Sequence, residues 1–364
     1  MYALGHDRDP VRYSRHCTRF ADVGAGDGVQ DRFLEWLEQG PGEGVVLPCA
    51  DDGLELVARR RARIEELGYT TIEANDEVVL AMLDKQRTAE LAAELGVEAP
   101  RTEAVRSFEQ GRAAGVEIGF PCAIKPLHSH LFAHHFGLLQ KVFVVDDVAQ
   151  LETRLAQTLE LGLEVLVTEI VFGPERNFGS LYVYLDEQGE PLLQVTKRKL
   201  RQFPPDFGLP CYQLTDWDPD VAETGIRFLR GAGARGFASV EFKRDGRDGR
   251  LRLIECNHRF TGSTEHLRAS GVDIAQFTYC RLTGRPGPSV DSYRKGLGFW
   301  YPLRDARALL TYRKRGELTV FAWLRSLIRP QSFPIARVDD PLPSLATGAR
   351  RLGRLALRLR PGSG

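Results

Sequence analysis

Ala238–Lys243 (ASVEFK) and Leu251–Phe260 (LRLIECNHRF) flank RDGRDGR, whose two Asp-Gly pairs are strong turn signals, so the two stretches read as a β-hairpin. Residues two apart on a strand share a face. Glu255, Asn257 and Arg259 therefore point the same way, and Glu241 on the partner strand joins them. Two carboxylates and an amide oxygen are hard ligands suited to Mg²⁺, an ion usually shared with nucleotide phosphates. An adjacent arginine suits an anionic phosphoryl or acyl-phosphate group. The bland alternative is a surface hairpin whose polar residues face water. The apolar run Leu251, Leu253, Ile254 and the second acidic strand argue against it.

Around this hairpin lies a chain of 364 residues, long enough for two or three subdomains. It is 43% hydrophobic and 27% charged, the composition of an ordinary globular protein. Its 49 basic and 49 acidic residues cancel, so no global field draws it to nucleic acid. Six scattered cysteines (Cys17, Cys49, Cys122, Cys211, Cys256 and Cys280) form no C-x-x-C pair, a pattern of reduced thiols rather than disulfides or zinc. No run approaches the roughly 18 apolar residues of a membrane span. The opening residues carry no signal-peptide pattern. The expectation is a cytoplasmic protein.

Secondary structure alternates along the chain, which points to an α/β fold. YAL near the start is strand-like, and Gly44–Cys49 (GVVLPC) reads as a buried strand before a helix that ends at Gly68. Asn75 reads as the N-cap of a helix over 76–83, and a second helix spans 85–95. Strands follow at Phe120–Pro126 (FPCAIKP), from Lys141, and at Val165–Ile170, with a helix over 146–161. GSLYVYLD and PLLQVTKRKL are alternating strands, residues 218–231 read as a helix, and another helix lies near 271–283. After Gly284, GRPGPSV reads as a linker to a basic, aromatic C-terminal stretch from Tyr293.

The order of these parts over about Val45–Gly284 resembles the ATP-grasp superfamily, the fold of D-alanine–D-alanine ligase, biotin carboxylase and the large subunit of carbamoyl phosphate synthetase. Four spaced elements carry the resemblance. DKQRTAELAAELGVEAPRT is similar to the segment whose lysine reaches nucleotide phosphates, which implies that role for Lys85. FPCAIKP is similar to the strand ending in a second phosphate-binding lysine, here Lys125. VTEIVFGPE resembles the inter-lobe linker, implying that Glu169 and the backbone of Ile170 and Val171 face adenine and that Glu175 holds the ribose. The acidic hairpin then supplies the magnesium ligands Glu241, Glu255 and Asn257, with Arg259 as the arginine that stabilises substrate or intermediate. Lys197 and Arg198 in VTKRKLRQ resemble the basic residues that face the acyl phosphate, the choice between them resting on strand register. Lys85 alone reads as a surface helix lysine. The place of Lys125 at the end of an apolar strand, just before a loop, favours the phosphate role over a surface strand-end lysine, and the order of the four elements carries the resemblance.

LPCADD, KRKLRQFPPDFG and IECNHRFTGST look most like the carboxylate–amine ligase branch that includes D-aspartate ligase. The biotin carboxylase reading is weaker, because no biotin-carrier motif is present. The resemblance implies an ATP- and Mg²⁺-dependent enzyme (Mn²⁺ as substitute) that activates a carboxylate as an acyl phosphate and joins it to an amine. ATP would lie between two α+β lobes, about 84–170 and 171–284, after a partial α/β unit at 1–83 and before an extension at 285–364. Dimers are common among such proteins.

Three features depart from the family pattern. Its usual first β-α unit is missing before MYALGHDRDP, an expectation of truncation. The loop after Lys125, LHSHLFAHHFG, has only Gly137, where the family commonly wraps phosphate with several glycines. Its His128, His130, His134 and His135 match no zinc spacing, leaving substrate contacts or an ordinary lid as readings. The extension ends in RRLGRLALRLR, Arg350–Arg360, either an arginine-rich contact to an anionic membrane or a terminal helix packed on its leucines. The missing unit and the altered loop also motivate an alternative, a nucleotide-binding regulatory or scaffold protein without catalysis. A kinase-like protein that stops at a phosphorylated product is the third reading.

Overall fold

The computed structural model describes residues 1–127, 132, 135–137 and 140–358, with side chains to 350. His128, His130 and His134 lie outside the described residues.

The N-terminal part holds two small parallel sheets. The first pairs β1 (Tyr2–Gly5) with β2 (Arg19–Asp22), and the second pairs β3 (Gly44–Val45) with β4 (Tyr69–Thr70). The strand expected at Gly44–Cys49 stops at Val45, because its partner has only two residues and the Pro48 carbonyl turns instead to the Phe260 N–H at 3.1 Å. Helix Asp51–Glu66 follows and buries Leu54, Val57 and Ile64. Helix Asp76–Leu83 then leads directly into helix Lys85–Glu94.

Residues 102–169 form a four-stranded antiparallel sheet from β5 (Thr102–Val105), β6 (Cys122–Pro126), β7 (Phe143–Val145) and β8 (Val165–Glu169), in the order β5-β8-β6-β7. Helices Phe108–Ile118 and Val148–Glu160 cover one face. Their inward side chains pack with Ile124, Val145 and Val167 around Leu151 and Leu155.

A seven-stranded sheet carries the rest, built from β9 (Phe178–Leu185), β10 (Pro191–Phe203), β11 (Leu209–Asp216), β12 (Gly236–Arg244), β13 (Leu251–Asn257), β14 (Gly298–Trp300) and β15 (Gln331–Ser332). Its order is β13-β12-β9-β10-β11-β14-β15. One face is apolar: Leu181, Val183, Val240 and Phe242 meet Val221, Phe228 and Leu229 of helix Pro219–Gly231. Each of these large side chains gains about 1.5–3 kcal/mol from burial. A Cβ at Gly225 would lie 2.8 Å from Leu181 Cδ2, so glycine lets the helix approach this closely. The other face buries Tyr182, Tyr184, Val195 and Phe237 at one end and at the other carries Glu241, Ser180 and Lys197 in direct cross-strand register.

The stretch after Gly284 is not a separate appendage, because β14 and β15 complete this sheet. Helix Pro302–Lys314 is fixed by a fully buried ion pair. Arg201 of β10 reaches Asp305 at 2.7 and 2.8 Å, and the indoles of Trp300 and Trp323 donate to the same carboxylate. Those donors satisfy a charge that burial would otherwise make costly. The terminal helix Leu342–Arg358 packs near the turn at Pro10–Tyr13, where Arg350 donates to Tyr13 Oη at 2.9 Å.

Candidate active site

β12 and β13 form the expected hairpin, and its turn is built by Asp245. The buried Asp245 carboxylate accepts the Arg247 N–H at 2.9 Å, and Gly249 takes a positive φ of 74° that a side chain would resist. A bulge between Glu241 and Phe242 leaves Glu241 directly opposite Glu255. Ser239 pairs with Asn257, one step along the same face.

The strand ends at Asn257 rather than running to Phe260, since the Phe260 N–H is taken by Pro48. Arg259 lies just beyond it and reaches the N-terminal unit. Its guanidinium pairs with Asp51 at 2.5 and 3.3 Å. Asp51 sits in the first turn of its helix, where a carboxylate also meets the positive end of the helix dipole.

Two carboxylates facing one another are electrostatically unfavourable unless a cation lies between them. Glu255, though open to solvent on one side, is held above the usual carboxylate range, first by desolvation in the cleft and then by Glu241; Asn257, Arg259 and Lys85 oppose that shift. Glu241 accepts from Lys199 Nζ at 3.0 Å and from Ser180 Oγ at 3.3 Å. Glu241, Glu255 and Asn257 thus present hard oxygen donors in one patch, a set that fits Mg²⁺ or Mn²⁺.

Lys85 and Lys125 arrive from the other side of the junction. The Asp84 side chain caps its helix by accepting the N–H groups of Gln86 and Arg87 at 2.8 and 3.1 Å, which puts Lys85 in the first turn. A cation is disfavoured at that end of a helix. Its electrostatic counterpart is Glu255. Lys125 leaves the end of β6 into the same cleft, whose walls include Thr88, Thr102, Thr168 and Ile254. Burial, then Lys85 and Lys243, push the Lys125 ammonium down to about 8, against the pull of Glu255.

Between the lobes, Glu169 pairs with Arg247 at 2.7 Å, and Arg247 lies over the Phe172 ring. Ile170 and Val171 follow, and the Val171 carbonyl accepts from the buried Lys243 Nζ at 2.7 Å. Glu175 is buried rather than open. It accepts the Asp206 N–H at 2.9 Å and lies beside Tyr312 of helix Pro302–Lys314, whose hydroxyl is raised by burial and by this carboxylate.

Along β10 the period of two separates the basic residues. Lys197 and Lys199 are buried on the cleft face, with Lys197 donating to Gln213 and to Ser263 Oγ at 2.8 Å, while a bulge before Arg201 breaks the alternation and that side chain goes to Asp305. Arg198 points the opposite way and pairs with the exposed side of Asp216 at 2.8 Å, so it is not brought to the site. Lys199, Lys243, Ser180 and Asp51 were not singled out from sequence. Lys199 had a legible signal, since it shares the strand face of Lys197; the other three depend on pairings across the fold.

A single linkage result follows from Lys125. Its folded value is lower than that of the unfolded chain, so the unfolded state holds more protons between about pH 8 and the ordinary lysine range, and stability rises with pH across that window. Phosphates bound beside it would restore its proton. At pH about 9, nucleotide binding should take up close to one proton, and affinity should fall as pH rises through 8. Calorimetry in buffers of different ionisation enthalpy reads this directly; a buffer-independent enthalpy would contradict it.

No family model matches the chain. It is similar to D-aspartate ligase of Enterococcus faecium, 24% identical over 299 residues that cover 78% of this chain and 66% of the relative. It is also similar to D-alanine–D-alanine ligase of Ectopseudomonas mendocina, 24% identical over 219 residues covering 55% and 64% of the two chains. The chain thus spans just under two thirds of the length of these curated relatives. Among solved structures, it matches the ADP complex of purK, N5-carboxyaminoimidazole ribonucleotide synthetase, with a TM-score of 0.61 at 13% identity over 80% of this chain and 73% of the other, a likeness of fold.

Proposed function

We propose that the chain is a member of the ATP-grasp superfamily and an ATP- and Mg²⁺-dependent ligase that activates a carboxylate and joins it to an amine. Its similarity to two ligases and the shared fold support this reading. The observation that carries this reading is the register of Glu241 opposite Glu255 beside Asn257, faced by Lys85 and Lys125 from the other lobe.

Magnesium held by Glu241, Glu255 and Asn257 would neutralise phosphate charge and polarise the transferring phosphoryl group. Lys85 and Lys125 bind the phosphates as point cations, and their mutual repulsion in the free protein favours that anion. Glu169, Ile170 and Val171 frame the base. Glu175 would meet the ribose only after exchanging its contact with the Asp206 N–H. The substrate carboxylate attacks the γ-phosphorus in line, giving an acyl phosphate and ADP. The amine then attacks the acyl carbon, and phosphate leaves as the amide bond forms. Arg259, oriented by Asp51, supplies positive charge where the acyl phosphate and then the tetrahedral oxyanion develop. Lys197 lies further along the same face, anchored on Ser263, and contributes charge to the acyl group. No side-chain nucleophile is needed.

The relatives join D-amino acids in name, which makes small amino acids the first acids and amines to try. ADP release should require ATP, Mg²⁺, a carboxylate and an amine together. A stable phosphorylated acid formed without amine would replace ligation by a kinase-like reaction. Nucleotide binding with no acceptor-dependent release across a broad panel would favour a protein without catalysis.

A further inference from the structure

The C-terminal stretch presents a surface that the ligase reading leaves unused. Charge is distributed very unevenly along the chain. Residues 293–364 carry fifteen Lys and Arg against four Asp and Glu, so the remainder of this formally neutral molecule is negative by the same amount. The basic part also holds a concentration of exposed apolar side chains. On helix Val320–Ser326, Phe321 is 75% and Leu324 52% exposed, and Ile328, just past the helix end, is 83% exposed.

This exposure is built into the helix. Trp323 is turned inward, its indole donating to the buried Asp305 at 2.8 Å. At about 100° per residue, Leu324 and Phe321 fall on the side away from that anchor. Arg325 follows on the same side and Arg329 lies beside Ile328; both are exposed. The neighbouring helix Pro302–Lys314 repeats the arrangement. It buries Asp305, Ala308 and Tyr312, and exposes Leu303, Arg307, Leu310 and Lys314 at spacings of four, three and four. The two helices touch, and each exposes both apolar and basic side chains.

We propose that this face docks on an anionic membrane surface, with Phe321, Leu324 and Ile328 entering the headgroup boundary and the arginines and Lys314 pairing with lipid phosphates. The chemistry selects this occupant. A second copy of the chain packed through the same patch about a two-fold axis would set one strongly basic surface against another. A nucleic acid would satisfy the cations but leave a phenylalanine and an isoleucine, both more than 70% exposed, against phosphate and water. No helix among the described residues is long and apolar enough to cross a membrane, so the contact is peripheral.

The test is co-sedimentation of the full chain with phosphatidylcholine vesicles, with and without phosphatidylglycerol. Wild type should sediment with the anionic vesicles, weaken as salt rises, and stay in solution with the neutral ones. The double variant Phe321→Asp/Ile328→Asp should lose at least about tenfold in vesicle affinity. Because both side chains project into solvent, its melting temperature and ATP binding should match wild type. Val116→Asp, a 52%-exposed apolar position on helix Phe108–Ile118, should bind vesicles as wild type does. Absence of binding to anionic vesicles at low salt would overturn the proposal, as would undiminished binding by the double variant. Binding to RNA without binding to vesicles, or a dimer that the double variant abolishes, would equally replace the membrane by another partner.

Discussion

Glu255→Gln should abolish turnover, by at least about a hundredfold, while the protein remains folded. Glutamine keeps the shape and one oxygen but removes the charge that a divalent ion needs. In the free protein Glu255 stands directly across from Glu241, and partial desolvation in the cleft together with that facing charge penalises its ionised form. Neutralising it therefore relieves a repulsion, so the melting temperature without magnesium should be unchanged or raised. Stability and activity then move in different directions, which no general damage to the fold would produce. The sign of the pH effect agrees. A carboxyl held above its ordinary range costs stability once it is ionised, and that cost sets in as pH rises past the ordinary value. Loss of the carboxylate removes this pH dependence. Acceptor-dependent ADP release and a melting curve on one sample check both halves; near-normal turnover would remove Glu255 from the metal site.

Lys125→Ala should weaken ATP binding about 10- to 150-fold, the equivalent of the roughly 1.5–3 kcal/mol of a charge-assisted hydrogen bond. The substitution acts at the end of β6, where the ammonium is depressed by burial and by Lys85 rather than sustained by an ion pair. Removing it leaves no orphaned counter-ion, so the free protein should not lose stability in proportion. Lys125→Ala should also remove the proton taken up on binding at alkaline pH. Unchanged nucleotide affinity would take this lysine out of the site, whatever happened to turnover. An equal loss at Lys85 is expected on charge alone, although its helix end is capped independently by Asp84.

Much of this site was legible in sequence because its signals are local. A hairpin turn, a period of two and an Asp-Gly pair are read within a dozen residues, and they placed Glu241, Glu255 and Asn257 on one patch. Lys125 was legible in the same way, at the end of an apolar strand just before a loop, whereas Lys85 alone reads as a surface helix lysine and was singled out only by the resemblance. The choice at Lys197 and Arg198 depended on which face of β10 looks into the cleft. The structure answers with Lys197 and Lys199, while Arg198 takes Asp216 on the far face.

What escaped sequence depended on distant pairings. Arg259 finds Asp51 across 208 positions of chain, and Glu175 is closed over by Asp206 and Tyr312. β14 and β15 are three and two residues long and carry no pattern of their own. β14 becomes a strand only because β11 offers an edge, and β15 because β14 then does, which is why the C-terminal stretch read as an extension rather than as part of the large sheet. The buried Arg201–Asp305 pair shows the same limit, since either residue alone reads as a surface charge.

The most direct measurement is calorimetric titration of ATP into the chain, with Mg²⁺ and then with the metal chelated, repeated on Glu255→Gln. The account predicts binding that strengthens with magnesium in the wild type and loses that dependence in the variant. Magnesium-independent binding by both, or none by either, would contradict a metal–nucleotide site on this hairpin.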